Sequence, residues 1–155
     1  MQLTTNFSLE ELCRSESAKR LGIANTPNAT ETAALKLLAE NVLQPLRNHF
    51  GPISVSSGFR SQALNAATPG SSATSQHSKG EAADIDMDNI KTNITNAMVF
   101  EYIHKFMNFD QLIWEYGTDA NPDWVHVSFS ASGTQRKQTL RCKRNAAGQP
   151  VYSAY

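Results

Sequence analysis

The stretch Ser75–Asp84 reads SQHSKGEAAD and has the form S-x-H-x-x-G-x-A-x-D. It joins a polar loop to a short apolar segment of strand character, and Gly80 permits a tight turn between the two. Such a turn can fold the imidazole of His77 back beside the carboxylate of Asp84. A histidine and an aspartate brought together in this way are candidate ligands for a metal ion.

A second histidine lies in an alternating segment, Trp124–Phe129 (WVHVSF). Alternation places Val125 and Val127 on one face of a strand and His126 on the other. Two imidazoles and one carboxylate are a common ligand set for catalytic zinc, with a fourth position open for water. Each signal is weak alone, because a lone strand histidine is more often structural and the HExxH signature is absent.

Two acidic side chains are candidates for the general base that such a centre needs. Asp123 lies three residues before His126, just ahead of the strand, and Glu115 ends the preceding predicted strand. Asp123 is the first choice because it can reach the metal site without being a ligand. Asp is shorter than Glu, so its backbone must come close to the metal; if Asp123 does not reach, Glu115 takes the role.

Three separated segments resemble, in order, the zinc peptidases of the M15 type: Ser57–Ser61 (SGFRS), Ser75–Asp84 and Asp123–His126 (DWVH). These peptidases include D-Ala-D-Ala carboxypeptidases, D-Ala-D-Ala dipeptidases and phage L-alanyl-D-glutamate endopeptidases. The resemblance spans roughly residues 7–129. It looks closest to the compact phage and prophage branch, which Phe109–Glu115 (FDQLIWE) also resembles.

The resemblance implies a role for each matched residue. His77, Asp84 and His126 would bind one zinc ion, and Asp123 would be the general base. Arg60 would match the arginine that binds substrate and stabilises the developing oxyanion. The implied fold is that of the hedgehog and D-Ala-D-Ala peptidases, with the zinc site on the sheet.

Several polar side chains are expected to support the site without binding metal or substrate: Asn65, Ser75, Asp86 and Ser128. Asp86 and Ser128 are candidates to orient the histidines. Arg60 also has a structural interpretation, as a helix cap or a partner of Asp86, and Asp123 could be a turn residue. The two other histidines are expected to be structural or to face solvent: His49 and His104.

Periodicity predicts an α+β fold with a small, mostly antiparallel sheet flanked by helices. Four helices are predicted from apolar spacing and capping signals: 8–20, 30–50, 61–67 and 93–107. Five strands are predicted from alternation: 53–56, 82–87, 109–115, 124–129 and 137–142. Residues 68–79 are expected to form a loop. Residues 1–155 are expected to form a single domain, which the resemblance makes a peptidase domain, with 145–155 as a loose C-terminal tail.

Composition excludes several other classes of protein. The 155 residues are 40% hydrophobic and 18% charged, which fits one folded domain rather than a disordered chain. A formal net charge of zero disfavours a strongly basic nucleic-acid binder. Five basic residues and no acidic ones follow Asp123, either as a solvated strand face or as an attraction for an anionic polymer. Two cysteines without CxxC give neither a disulfide framework nor a zinc ribbon.

The resemblance implies a substrate and a place of action. The substrate would be the stem peptides of bacterial peptidoglycan, and the expected oligomeric state is a monomer. No membrane span or signal peptide is expected, so the protein would be made in the bacterial host cytoplasm. It would act on the cell wall after release, as an endolysin, or as part of a virion. The alternatives are a D-Ala-D-Ala carboxypeptidase or dipeptidase, and a zinc-containing virion or binding module without turnover.

Overall fold

The computed structural model describes residues 1–155 and is built around a mixed six-stranded sheet. Its strands are β1 (Val55–Ser57), β2 (Ala82–Ile85), β3 (Gln111–Glu115), β4 (Trp124–Ser128), β5 (Gln138–Arg144) and β6 (Pro150–Ala154). Their order across the sheet is β1-β2-β4-β3-β5-β6, and only β3 and β5 run parallel. The prediction of an α+β fold with a mostly antiparallel sheet is therefore confirmed.

Six α-helices accompany the sheet: α1 (Leu9–Leu12), α2 (Glu16–Leu21), α3 (Ala29–Leu38), α4 (Gln44–Phe50), α5 (Gln62–Ala66) and α6 (Asn96–Phe106). The helix predicted at 8–20 is split, because the Ser15 side chain accepts a hydrogen bond from the Ala18 amide and caps a new helix. The loop predicted at 68–79 ends in a 3-10 turn, Gln76–Lys79.

The predicted helix at 30–50 is one continuous run in which a π-helical turn, Ala39–Leu43, joins α3 to α4. The Gln44 amide reaches back to the Ala39 carbonyl, and Pro45 next to it has no amide proton to donate. The helix buries one apolar face against the sheet: Leu35, Leu38, Val42, Leu43 and Leu46. No helix in the structure combines the length and the apolar character needed to cross a bilayer.

The two faces of the sheet have different characters. The face covered by helices carries the apolar side chains of the central strands: Ala83, Ile85, Leu112, Trp114, Val125 and Val127. Because side chains alternate along a strand, the residues between them project to the other face. There they line a cavity and include Asp84, Ile113, Glu115 and His126. The alternation of apolar residues along the strands thus determines which side chains face the cavity.

The expectation of a loose tail at 145–155 is wrong for the last strand. Residues Pro150–Ala154 form β6, which pairs antiparallel with β5. A turn joins the two strands, with the Asn145 amide bonded to the Gln149 carbonyl and Gly148 at φ 78°. Backbone pairing holds this edge strand, and most of its side chains stay exposed. The alternation of buried and exposed residues, which predicts the other strands, is therefore weak in β6.

Candidate metal centre

The first feature of the site is a cluster of three side chains, His77, Asp84 and His126, on the open face of the sheet. The register of β2 and β4 sets Asp84 directly opposite His126. Asp84 Oδ1 lies 3.1 Å from His126 Nδ1 and 3.3 Å from His77 Nε2. One ligand atom from each residue falls within 4.8 Å of the others, so the three can hold a metal ion.

His77 reaches the sheet from the 3-10 turn that precedes β2. Ser75 caps this turn, since its Oγ accepts a hydrogen bond from the His77 amide at 3.2 Å. Gly80 ends it at φ 74°. A Cβ at Gly80 would lie 2.4 Å from the Glu31 carbonyl oxygen on α3. A glycine is thus required where the chain turns from His77 into β2.

The environment of His77 fixes the chemistry of its ring. Nδ1 lies 2.7 Å from the Gly58 carbonyl oxygen, which can only accept a hydrogen bond. Nδ1 therefore carries a proton, and the neutral form of the ring has its lone pair on Nε2. That lone pair faces Asp84 Oδ1, another acceptor, at 3.3 Å. Two facing acceptors favour a cation between them, and a set of two imidazoles and one carboxylate suits zinc.

The carboxyl group of Asp84 is ionised without a metal. In the metal-free protein burial raises its pKa, but the imidazoles of His77 and His126, in their protonated forms, outweigh burial and hold the pKa well below its usual range. A carboxylate is the form that ligates a metal. The ring of His126 lies edge-on to that of His77, with 5.2 Å between centroids.

The two candidate bases occupy different places. Glu115 is 7% exposed and lines the same cavity as the three cluster residues. Asp123 is exposed and absent from the cavity lining. Its backbone pairs with Glu115, the Asp123 amide donating to the Glu115 carbonyl at 2.9 Å. Asp123 lies one residue before the start of β4 at Trp124.

Arg60 lies on the same cavity wall and has no acidic partner. Its Nη2 is 3.5 Å from Ser75 Oγ, and its buried Nε has no hydrogen-bond partner. Burial lowers the pKa of the guanidinium, while the charge of Asp84 raises it. The structure thus shows neither an ion pair with Asp86 nor a helix cap for this side chain. Its charge faces a cavity of about 630 Å³.

The expected supporting residues divide into two groups. Ser75 contacts both His77 and Arg60, as described above, and Asn65 donates to the Ser72 carbonyl at 2.8 Å within the loop beside the cavity. The expectation that Ser128 and Asp86 orient the histidines is not met. Ser128 Oγ accepts from the Gln111 amide, and Asp86 accepts from its own turn and from Asn96. His104 is exposed, and His49 stacks on Tyr102.

Two residues beside the site were not predicted from the sequence: Gly58 and Asp110. The Gly58 carbonyl orients His77, and a Cβ at Gly58 would lie 2.3 Å from the Leu12 carbonyl oxygen. The sequence shows a glycine in the SGFRS segment. Its contact with His77 is made by a backbone carbonyl, however, and no residue type indicates such a contact. Asp110 is buried and holds Arg136 through Nε and Nη2. Asp110 belongs to the FDQLIWE segment, so the sequence did contain a signal for it.

Comparison with known proteins assigns the family. A family model described as Peptidase M15 matches residues 5–128. The chain belongs to the Peptidase M15 family. No curated protein matches it. Membership supports a peptidase acting on a peptide substrate, and the His-Asp-His cluster of this M15 chain gives it a group able to bind metal.

The turn at Gly80 provides a stability prediction for this M15 chain. Gly80→Ala is expected to cost more than about 2 kcal/mol, because a left-handed residue gains a side chain that meets backbone. Gly70→Ala is the control, since Gly70 has φ 77° with open space around it and should cost about 1 kcal/mol from strain alone. Urea unfolding measures both. Equal losses would show that the Glu31 contact does not matter.

The buried base candidate gives a pH prediction for the metal-free M15 chain. Burial raises the pKa of Glu115 to about 7, with Asp84 adding to the rise and His126 opposing it. Because this pKa is higher in the folded than in the unfolded protein, the protonated carboxyl group stabilises the fold at low pH. That stabilisation is lost as the pH rises through about 7. Glu115→Gln should therefore gain stability over wild type between pH 4 and 8, by about 2 kcal/mol. A constant difference across that range, in urea unfolding, would contradict it.

Proposed function

We propose that this M15 chain is a zinc-dependent peptidase that hydrolyses the peptide part of bacterial peptidoglycan, as an endolysin-type L-alanyl-D-glutamate endopeptidase. One observation carries the proposal. His77, Asp84 and His126 converge in a cavity of about 630 Å³ whose lining also contains a buried carboxyl group, Glu115, and an unpaired guanidinium, Arg60. Cavities of this size suit small ligands and peptide segments.

His77 Nε2, Asp84 Oδ1 and His126 Nδ1 are the atoms proposed to bind one zinc ion. When bound, zinc would supply Lewis-acid polarisation of the scissile carbonyl and a lower pKa for water at the centre. Three protein ligands leave a position open, as catalytic zinc sites do. The Gly58 carbonyl supports this role by fixing the tautomer of His77.

Glu115 is proposed as the general base in preference to Asp123. Its Oε atoms would take a proton from the attacking water and later deliver it to the leaving amine. Its burial supports this assignment, because a raised pKa lets one carboxyl both accept and return a proton near neutral pH. Asp123 has an exposed side chain outside the cavity and is assigned no step.

Arg60 is proposed to bind the substrate and to stabilise the negative charge that develops on the carbonyl oxygen. The contact of Arg60 with Ser75 is its one side-chain hydrogen bond and leaves its charge free for this purpose. The stem peptides of peptidoglycan carry free carboxylates, which suit such a group. The proposed enzyme would meet the wall after release from the host cell or within a virion.

Digestion of defined muropeptides tests the proposed function. The protein is purified without chelator, supplied with one equivalent of zinc, and incubated with stem peptides whose products are read by mass spectrometry. Cleavage between L-Ala and D-Glu supports the endopeptidase assignment. Release of terminal D-Ala would replace it with a carboxypeptidase, and full zinc occupancy without any product would replace it with a binding module.

A further inference from the structure

The β5–β6 hairpin lies beyond the residues matched by the family model, which end at 128. It nevertheless forms one wall of the cavity that contains the metal-binding cluster. The hairpin residues that line this cavity are Gln138, Leu140, Arg144, Pro150 and Tyr152. The part of the chain outside the matched region therefore helps to determine what the cavity accepts.

The register of the sheet places this hairpin beside the proposed base. Cys142 on β5 lies opposite Glu115 on β3, and Tyr152 on β6 lies opposite Cys142. Arg144 follows Cys142 by two residues, on the same face of β5. From strand spacings, the Cα atom of Arg144 lies about 8 Å from that of Glu115, or about two residues of extended peptide.

Two of the five basic residues after Asp123 have no acidic partner, Lys137 and Arg144, and of these two only Arg144 lines the cavity. Arg136 binds Asp110, while Arg141 and Lys143 both pair with Asp119. Arg144 donates one hydrogen bond, from Nη1 to the Gly148 carbonyl at 3.2 Å. Most of its donors are therefore free, on the wall of a cavity proposed to take an anionic peptide.

The guanidinium of Arg144 is held in place by an aromatic ring. Its central carbon lies 4.2 Å from the centroid of the Tyr116 ring, which itself packs edge-on against Trp124 at 5.3 Å. Tyr116 has φ 53°, a left-handed conformation that a bulky residue rarely adopts. Its amide donates to the Cys142 carbonyl at 2.9 Å, which fixes the strained residue to β5. Such strain is often found at ligand sites.

We propose that Arg144, held by Tyr116, is a binding site for a carboxylate of the peptide substrate, within two residues of the bond that is cut. This inference rests on the proposed peptidase function. Arg144 is a specificity-determining residue and Tyr116 a positioning residue. The occupant is a side-chain or main-chain carboxylate of the peptide, because a guanidinium with free donors binds a carboxylate in two parallel hydrogen bonds.

Steady-state kinetics on paired substrates tests the proposal. Each pair consists of a stem peptide with a free carboxylate and its carboxamide, at the D-glutamate α-carboxyl or at the C-terminus. Wild type is expected to prefer the carboxylate in one pair. Arg144→Gln should raise KM for that peptide about 10-fold, leave kcat within twofold, and abolish the preference. Tyr116→Leu should also abolish the preference, and Tyr116→Phe should keep it.

Lys143→Gln is the matched control, because it removes the same charge from the adjacent residue, whose side chain pairs with Asp119. It is expected to leave kinetics unchanged. The carboxylate site is overturned if Arg144→Gln keeps the wild-type preference, or if wild type shows no preference in either pair. The peptidase function would stand in both cases. If wild type cleaves no peptide, the proposed function itself fails.

Discussion

Glu115→Gln is expected to lower kcat on a stem peptide by about 10³-fold while the protein keeps one equivalent of zinc. The carboxamide has nearly the shape of the carboxyl group but cannot accept the proton of the attacking water, and general bases contribute about 10²–10⁴-fold. Glu115 is not part of the His-Asp-His cluster, so metal binding should survive. Single-turnover kinetics together with metal analysis of the same preparation gives both quantities.

Asp123→Asn is the matched control for Glu115→Gln. It makes the same chemical change on the other candidate carboxyl group, which is exposed and outside the cavity. We expect its kcat to stay within about threefold of wild type, the range of a modest electrostatic effect. The reverse result, a large loss in Asp123→Asn and near-normal rates in Glu115→Gln, would return the role of base to Asp123.

His126→Ala is expected to lose both stoichiometric zinc and all measurable hydrolysis. It removes one of the three proposed ligands, and the two that remain cannot bind zinc with normal affinity. Zinc should raise the Tm of wild type but not of this variant, because a ligand that binds only the native state stabilises it. Differential scanning calorimetry with and without zinc measures the shift, and metal analysis gives the occupancy.

His104→Ala is the control for His126→Ala, since His104 is exposed on α6 and outside the cluster. It should bind zinc and hydrolyse substrate like wild type. Chelation of wild type, followed by addition of zinc, separates metal loss from misfolding in His126→Ala. Activity that survives complete chelation, or zinc that binds normally to His126→Ala, would contradict the assigned ligand set.

The convergence of His77, Asp84 and His126 can be predicted from the sequence because local geometry controls it. A turn at Gly80 links His77 to the strand that carries Asp84, and the alternation of WVHVSF assigns His126 to the polar face. Pairing of β2 with β4 then sets Asp84 opposite His126. Each step depends on spacing within a few residues, which is what sequence patterns record best.

The identity of the general base stays a prediction, and the sequence contains a signal for each candidate. In FDQLIWE, Leu112 and Trp114 pack in the core, so Glu115 must project to the opposite face. The M15 motif favours Asp123 by its distance from His126 along the chain. The exposure of Asp123 and the burial of Glu115 in the cavity wall depend on the folded structure.

Contacts made by backbone or by exposed strands could not be predicted. The Gly58 carbonyl that orients His77 leaves no trace in residue type. The last strand, β6, has mostly exposed side chains, so no burial pattern distinguishes it from a tail. Its position follows from hydrogen bonds to β5, which depend on the completed sheet.

Zinc-dependent hydrolysis can be measured on purified stem peptides with one preparation, assayed with zinc bound and after chelation. We expect cleavage products by mass spectrometry only in the zinc-loaded sample, with recovery when zinc is restored. Equal product with and without metal would contradict it, and so would the absence of product at one equivalent of bound zinc.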